Sequence, residues 1–280
     1  MKSLAVISCY FGPLPWYFRY YVHSCGFNPT VTFFIVTDDH SFSDTVPENV
    51  KLIYKTLADV SELASEKLRL PISIKQAYKM CDFKPAYGII FSDLINGYDY
   101  WAHSDIDLIY GSIRDFITPE VLSTYDVISV RPDWIPGCFL IFKNISSINR
   151  LFENSKDYEL VFTSDKHYCF DETNFAHEKF TDGMPYFEVA TEIESMMHVV
   201  KKMEASGQIR AYFDLHIIEG NPGRLIWEEG KLLYRGKYDV LLYHLIRLKK
   251  IYLPKRKWVS VPDRFRITPT KIYRSTGKIN

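Results

Sequence analysis

The order of apolar and amphipathic segments most constrains the fold of this 280-residue chain. Continuous apolar runs at residues 4–8 and 31–37, and a shorter one at 50–55, are typical of buried strands. A segment with helical periodicity at 14–25 lies between the first two runs, and another at 59–69 follows the third. Strands that alternate with helices at this spacing predict an α/β fold with a mostly parallel sheet.

The rest of the chain also contains predicted helices and strands. Ser61 is a plausible N-terminal cap for the helix at 59–69, and a further helix is expected after Pro71. The remaining predicted elements are that helix at 72–81, a strand from Ile89, strands at 127–130 and 138–142, helices at 147–154 and 192–203, and short strands from Ala211 onward. No repeat or clear linker interrupts this pattern, so we expect a single domain.

Composition limits the class of protein. The chain is 47% apolar and 16% aromatic, which is enough for one sizeable core. No apolar run approaches the roughly 18 residues of a membrane span, and the first ten residues lack the pattern of a signal peptide. The five cysteines are scattered without a Cys-x-x-Cys pair, so neither a disulfide framework nor a zinc site is expected. Reduced thiols favour a cytoplasmic location.

Charge is distributed unevenly along the chain. Residues 244–280 contain eleven Lys and Arg and one acid, Asp263, a net charge of about +10, whereas residues 1–243 carry about −10. We therefore divide the chain into a domain at 1–250 and a basic C-terminal extension at 251–280. The extension predicts either a solvated tail or peripheral contact with the anionic inner face of a membrane. Nothing else in the chain supports nucleic-acid binding, which is not expected.

Two carboxylates one residue apart, Asp105 and Asp107, carry the most chemical information. They follow an aromatic-rich segment at 98–101 and precede apolar residues, a pattern that indicates the end of a buried strand. Burying two like charges is costly unless a cation offsets them, and Mg²⁺ and Mn²⁺ prefer oxygen ligands. An isolated Asp-x-Asp is more often a surface turn, so the surrounding residues decide the interpretation.

Further polar and aromatic residues are expected near the same sheet edge. Ligands of open parallel sheets bind beyond the carboxyl ends of the strands. The first predicted strand ends at Tyr10 and Phe11, and the second ends at Asp38. An aromatic ring can stack on a base and a carboxylate can accept hydrogen bonds from a ribose, although core packing and turn formation are equal alternatives. Together with Asp105 and Asp107, these residues predict a nucleotide-diphosphate site.

Four segments in order resemble the GT-A-fold glycosyltransferases, and more narrowly bacterial glycosyltransferase-like proteins of surface polysaccharide synthesis. They are residues 6–12 (VISCYFG), 33–38 (FFIVTD), 84–88 (KPAYG) and 101–107 (WAHSDID). The resemblance covers roughly residues 3–250. It implies a GT-A-type (Rossmann-like), mostly parallel mixed sheet flanked by helices, and a hexosyltransferase-type enzyme. It also implies a UDP- or GDP-sugar donor, Mn²⁺ or Mg²⁺ on Asp105 and Asp107, and a hydroxyl acceptor on a glycan or lipid-linked glycan.

Lys84 lies between the helix that is predicted to end near Cys81 and the strand predicted from Ile89, where it is placed to contact the donor or its phosphates. The alternative for Lys84 is an ordinary surface lysine before a proline. Enzymes of this type often take a third metal ligand from a late histidine, and His216 and His244 are the two candidates. We favour His244, because Arg247 and two lysines follow it and could line a diphosphate.

The acceptor side is predicted from a polar stretch after the second pair of strands. Asp171 and Glu172 are candidate catalytic carboxylates, either of which could act as general base if the enzyme inverts configuration. If configuration is retained, they would position substrate instead. The segment at 131–137, with Trp134, is expected to shape the acceptor subsite.

Two other functions compete with this hypothesis. A binding protein could keep the fold and the nucleotide-sugar or glycan site without turnover. A metal-dependent phosphohydrolase could use Asp105 as nucleophile, but that class needs a small turn residue after the motif on the first strand. Here Leu108 and Ile109 follow the motif, which lies on the fourth predicted strand.

Overall fold

The computed structural model describes residues 1–220, 223–254 and 258–274. Within them the strands are β1 (Leu4–Tyr10), β2 (Val31–Thr37), β3 (Val50–Tyr54), β4 (Tyr100–Ser104), β5 (Leu108–Tyr110), β6 (Val127–Ser129), β7 (Phe139–Lys143), β8 (Ala211–Phe213), β9 (Ile217–Ile218), β10 (Leu225–Glu228), β11 (Lys231–Tyr234), β12 (Tyr238–Asp239), β13 (Leu242–His244), β14 (Arg264–Ile267) and β15 (Ile272–Arg274). The α-helices are α1 (Phe18–Gly26), α2 (Leu57–Leu68), α3 (Met80–Phe83), α4 (Tyr87–Ile90), α5 (Ile113–Phe116), α6 (Pro119–Thr124), α7 (Ser146–Asn149), α8 (Tyr158–Thr163), α9 (His177–Thr181), α10 (Met196–Ala205) and α11 (Leu248–Ile251). Short 3₁₀ helices cover Ala77–Lys79, Lys84–Ala86, Leu151–Asn154 and Tyr186–Glu188.

A seven-stranded sheet forms the centre of the molecule, in the order β3-β2-β1-β4-β7-β6-β8. Strands β3, β2, β1 and β4 pair in parallel, β7 is antiparallel to both its neighbours, and β6 pairs in parallel with β8. Six of the seven strands therefore run in one direction. The predicted α/β fold with a mostly parallel sheet flanked by helices is confirmed.

Both faces of this sheet are covered, which explains the continuous apolar runs of its strands. Ala5 and Ile7 of β1 pack into one buried cluster with residues of α2, α4 and α10. Leu4 and Val6 point to the opposite face and pack with residues of α1 and α6. Because neighbouring side chains of a strand point to opposite faces, a strand buried on both sides must be apolar throughout.

Two smaller sheets complete the molecule. One has the order β12-β11-β10-β14-β15 and the other the order β5-β13-β9. Strands β14 and β15 belong to the segment 251–280, so the described part of that segment includes two strands of a sheet. The boundary expected at residue 250 stays a prediction, and the basic residues 255–257 and Lys278 lie outside the described residues. No helix in the described ranges is long and apolar enough to cross a membrane.

The predicted cap of the second helix was wrong. Helix α2 begins at Leu57, and its N-terminal cap is Thr56, not Ser61. The Thr56 side chain accepts a hydrogen bond from the Asp59 backbone N–H, and the Asp59 carboxylate accepts one from the Thr56 N–H. This reciprocal arrangement stabilises the first turn. Ser61 lies instead on the buried face, where its hydroxyl accepts a hydrogen bond from the Ile74 N–H.

Two elements near residue 80 also differ from the prediction. The segment predicted as helix 72–81 has no regular secondary structure over residues 71–75, where Ser61 and Ser65 accept hydrogen bonds from the backbone N–H groups of Ile74 and Ile72. The strand predicted from Ile89 is α4, followed by turns, and the next strand begins at Tyr100. Length and apolar content alone do not separate a short buried helix from a buried strand.

Candidate metal and nucleotide site

Asp105 and Asp107 lie on the turn between β4 and β5, at the carboxyl end of the central sheet. The Asp105 N–H donates to the carbonyl of Cys138 at 2.9 Å, and the Asp107 carbonyl accepts from the Leu245 N–H at 2.9 Å. Strand β5 pairs antiparallel with β13, which places His244 opposite Leu108. Strand pairing therefore brings His244 beside the two aspartates from more than 130 positions away in the sequence.

Asp105, Asp107 and His244 form a possible metal-binding group. One ligand atom from each lies within 4.8 Å of the others, and His244 Nε2 is 3.2 Å from an Asp107 carboxylate oxygen. Two carboxylates and an imidazole suit a divalent cation such as Mn²⁺. His216 lies elsewhere: its Nε2 is 3.3 Å from the Tyr212 hydroxyl and 3.5 Å from Asp214. Of the two predicted histidines, the structure brings only His244 to the aspartates.

Two cationic groups face Asp107. Lys249 Nζ is 2.5 Å from its carboxylate, in addition to the His244 ring. Burial acts to raise the pKa of Asp107, but His244 and Lys249 hold it below its usual range. Burial acts to lower the pKa of His244, but Cys138 and Asp107 raise it well above its usual value. These positive charges offset the Asp107 carboxylate in the way that a bound cation would.

Glu219 belongs to the site but was not predicted from the sequence. Its carboxylate accepts from His244 Nδ1 at 2.8 Å and pairs with Arg131 at 2.5 Å. Arg131 also pairs with Asp133 and lies over the Trp134 ring, 4.1 Å from its centroid. A histidine ligand is commonly oriented by a carboxylate on its second ring nitrogen. Glu219 follows a two-residue strand, and no local pattern marked it.

A cleft of about 330 Å³ opens beside these residues. Five predicted site residues line it: Tyr10, Phe11, Lys84, Asp105 and Asp107. Further lining residues include Tyr17, Tyr78, Cys81 and Lys249, and of these four only Lys249 was expected near a diphosphate. Aromatic rings and charged groups thus meet at one opening at the carboxyl end of the sheet.

Asp38 does not line this cleft with the other predicted residues. It is exposed at the end of β2, and its carboxylate accepts from the Gly12 N–H at 2.7 Å. Gly12 has a φ of 99°, a left-handed conformation that favours glycine. Asp38 therefore shapes the loop after β1, and its predicted contact with a nucleotide stays a prediction.

Lys84 is buried between the two halves of the site. Its Nζ lies 2.7 Å from an Asp105 oxygen and 3.3 Å from an Asp171 oxygen, and it donates to the Gly137 carbonyl at 2.8 Å. Burial acts to lower the pKa of Lys84, but Asp105 and other neighbours raise it well above its usual value. The ammonium group therefore links the Asp-x-Asp turn to the loop that carries Asp171.

The two predicted acceptor-side carboxylates have different surroundings. Asp171 is buried, and burial raises its pKa well above the usual range even though Lys84 opposes this. Glu172 accepts from the Gly137 N–H at 2.6 Å and contacts His177 Nε2 at 2.8 Å. Burial acts to raise the pKa of Glu172, but His177 and the Gly137 N–H lower it to about 2. Glu172 is thus an ionised anchor, whereas Asp171 is the more basic of the two carboxylates.

A buried ion pair fixes the loop before Asp171. The Asp82 carboxylate accepts from the backbone N–H groups of Tyr168 and Phe170, each at 2.9 Å. Lys79 Nζ donates to Asp82 at 2.9 Å and to two carbonyls, of Val161 and Lys166. Removing one partner of such a pair leaves an uncompensated buried charge. Lys79 and Asp82 were not predicted, since an i,i+3 pair of opposite charge is ordinary on helices.

A family model described as "Family of unknown function (DUF6625)" matches residues 6–276, which include every residue of the site described above. No curated protein matches the chain.

Proposed function

The chain belongs to this family of unknown function, and we propose that it is a metal-dependent glycosyltransferase of the GT-A type that uses a nucleotide-sugar donor. The convergence of Asp105, Asp107 and His244 beside a cleft lined by aromatic and basic residues is the observation that carries this proposal. The sheet order supports it, because the site lies where ligands of open α/β sheets bind. Bacterial surface polysaccharide synthesis is the setting that the sequence resemblance suggests.

On the donor side, Asp105, Asp107 and His244 would hold Mn²⁺ or Mg²⁺. The cation, when bound, would neutralise charge on the leaving nucleoside diphosphate. Lys249 contacts Asp107 at the mouth of the cleft and would exchange that contact for a phosphate oxygen. The rings of Tyr10 and Tyr17 offer apolar surface for the nucleoside.

On the acceptor side, Asp171 would take the proton of the attacking hydroxyl if configuration is inverted. A buried carboxylate with a raised pKa is suited to this role at neutral pH. Lys84 holds Asp171 and Asp105 on either side of one ammonium group and so fixes the distance between donor and acceptor halves. If configuration is retained, the same contacts would position substrate.

Thermal unfolding with UDP, GDP and their sugar conjugates, each with and without Mn²⁺, tests the donor site. We expect one nucleotide to raise the melting temperature only when Mn²⁺ is present, because a ligand of the native state stabilises it. Asp105→Asn with Asp107→Asn should abolish this shift. Asp115→Asn is the matched control, since Asp115 is exposed outside the cleft. A nucleotide shift that is unchanged in the double variant, or no metal-dependent shift at all, would contradict the site.

A nucleotide-sugar-binding protein without turnover is the second candidate. It is favoured by one observation: Asp171 and Glu172 already pair with other groups of the protein, Asp171 with Lys84 and Glu172 with the Gly137 N–H and His177. Release of free nucleotide from the donor that binds distinguishes the two functions. For a transferase we expect slow donor hydrolysis that Asp171→Asn lowers by about 100-fold or more, with the nucleotide shift unchanged. A stable complex without hydrolysis or transfer supports the binding protein.

The proposed acceptor, a lipid-linked glycan, would lie at a membrane surface. Near the site, Ile251 and Leu253 are 61% and 75% exposed, and Arg247 and Lys250 lie beside them. Apolar and basic side chains together favour an anionic bilayer surface. Co-sedimentation with vesicles that contain phosphatidylglycerol, but not with phosphatidylcholine alone, is expected. Equal binding to both, or none to either, would contradict this contact.

A further inference from the structure

A second cluster of metal-ligating side chains lies on the loop that leads into α9. It consists of Cys169, Glu172 and His177, whose ligand atoms all lie within 4.8 Å of one another. The Glu172 Oε2 atom is 2.8 Å from His177 Nε2 and 3.3 Å from Cys169 Sγ, and the sulfur is 3.9 Å from the same ring nitrogen. A sulfur, a nitrogen and an oxygen therefore face one point.

These separations suit one small tetrahedral ion. With zinc–ligand bonds of about 2.0–2.3 Å, tetrahedral angles place the ligand atoms roughly 3.3–3.6 Å apart. The three observed separations bracket that range, so side-chain adjustments of a few tenths of an ångström would seat Zn²⁺. A thiolate and an imidazole select Zn²⁺ over Mg²⁺ and Mn²⁺, which prefer oxygen ligands.

The backbone holds this arrangement in place. Cys169, Asn174 and Phe175 have φ values of 51°, 52° and 65°, which are uncommon for residues other than glycine. The Asn174 side chain bonds the Tyr168 carbonyl at 2.7 Å and accepts from the Glu192 N–H at 2.8 Å. Such strain persists only where surrounding contacts enforce it. The three ligands are therefore brought together by the fold of the loop itself.

We propose that Cys169, Glu172 and His177 form a zinc site that is distinct from the Asp105–Asp107–His244 group. Cys169 would bind as the thiolate, with its proton released to solvent. Three protein ligands leave a fourth position for water, and the side chains of His177 and Glu172 are 34% and 22% exposed to solvent. Zinc was not expected from the sequence, because the cysteines do not form a Cys-x-x-Cys pair.

The position of the site suggests what the ion would do. Glu172 Oε1 accepts from the Gly137 N–H while Oε2 faces the proposed ion, and the His177 ring is 4.6 Å from that of Trp134. The ion would thus fasten the Asp171 loop to the segment at 131–137. This role does not depend on the identity of the substrate, or on whether the protein transfers sugars.

Cobalt replacement tests the site in the full chain. Metal-free protein titrated with Co²⁺ should develop a thiolate-to-cobalt charge-transfer band with one ion per chain, and Zn²⁺ should abolish it. Excess Mg²⁺ or Mn²⁺ should leave the band unchanged. The Asp105→Asn, Asp107→Asn variant should keep it, which separates this site from the donor site. Absence of the band in the wild-type chain would overturn the proposal.

Variants identify the ligands. Cys169→Ser should remove the charge-transfer band, and His177→Gln, which keeps the thiol, should weaken Co²⁺ binding at least 10-fold. Cys138→Ser is the matched control, because Cys138 belongs to a different Cys-Glu-His group, with Glu219 and His244. It should keep the band. A band that survives Cys169→Ser, or is lost in Cys138→Ser alone, would place the ion elsewhere and overturn the assignment.

Discussion

Gly137 shows how closely the acceptor side of the site is packed. Its N–H and carbonyl bond Glu172 and Lys84, and a Cβ at this position would lie 2.2 Å from an Asp171 oxygen and 2.9 Å from a Glu172 oxygen. Real Cβ atoms do not approach other atoms this closely. Only glycine therefore leaves room for both carboxylates here.

Gly137→Ala should displace Asp171 and lower stability by about 1–3 kcal/mol, the usual cost of overpacking. Donor hydrolysis should fall with it, while Mn²⁺-dependent nucleotide stabilisation persists, because the added Cβ would meet Asp171 and Glu172 and no residue of the metal-binding group. Chemical unfolding and nucleotide thermal shifts measure the two effects. Gly223→Ala is the control, since a Cβ there meets its nearest neighbour at 3.6 Å. Equal behaviour of the two variants would contradict the close packing at Gly137.

Asp82 should make stability depend on pH. Burial acts to raise its pKa, but His167, whose Nδ1 lies 3.2 Å from the carboxylate, and Lys79 lower it below the usual value of about 3.9. A carboxylate with a lowered folded-state pKa stabilises the protein above its unfolded-state pKa, and this stability is lost as pH falls through the folded-state value.

Asp82→Asn should therefore lower the free energy of unfolding by about 3 kcal/mol at pH 7, since it leaves Lys79 without its buried partner. The difference from wild type should shrink as pH falls below about 4. Urea unfolding at several pH values measures both. Asp93→Asn, which breaks a pair with Lys67 at an 82% exposed carboxylate, should change stability little. A pH-independent difference for Asp82→Asn would contradict this account.

At the scale of elements, helix α2 depends on its capping box. Thr56→Ala removes the hydroxyl that accepts the Asp59 N–H and should cost about 1 kcal/mol. Thr56→Ser keeps an oxygen at the same place and should lose only a few tenths of that. Chemical unfolding of the two variants compares them. If both lose the same stability, the cap does not act through its hydroxyl.

Strand pairing decides the composition of the site. Residues on β4 and on the turn after it could be predicted, because a buried strand that ends in Asp-x-Asp is a local pattern. The pairing of β13 with β5 places His244 beside these residues, and the pairing of β13 with β9 brings Glu219 to His244. The sequence favoured His244 over His216 only through the basic residues that follow it, whereas the register of these short strands places His244 beside the aspartates.

At the scale of the whole molecule, the C-terminal strands belong to a buried cluster. Phe265 is fully buried and stacks on Trp227, with ring centroids 5.0 Å apart. Phe265→Ala should lower stability by about 3–5 kcal/mol. Phe187→Ala, at a 74% exposed side chain, should be nearly neutral. Thermal unfolding measures both, and a neutral Phe265→Ala would mean that residues 264–274 add nothing to the stability of the domain.

The sequence by itself determined the α/β class with a mostly parallel sheet, and the position of Asp105 and Asp107 after a buried strand. These follow from apolar runs and turn residues, which are local properties of the chain. Boundaries near residues 72–90 were wrong because short buried helices and strands share the same apolar content.

Only the tertiary structure decided which distant side chains share a site. It chose His244 over His216, added Glu219, buried Lys84 between Asp105 and Asp171, and grouped Cys169 with Glu172 and His177. These contacts depend on strand order, register and loop conformation. Such features are fixed by the packing of the complete chain, because each is stabilised by residues far away in sequence.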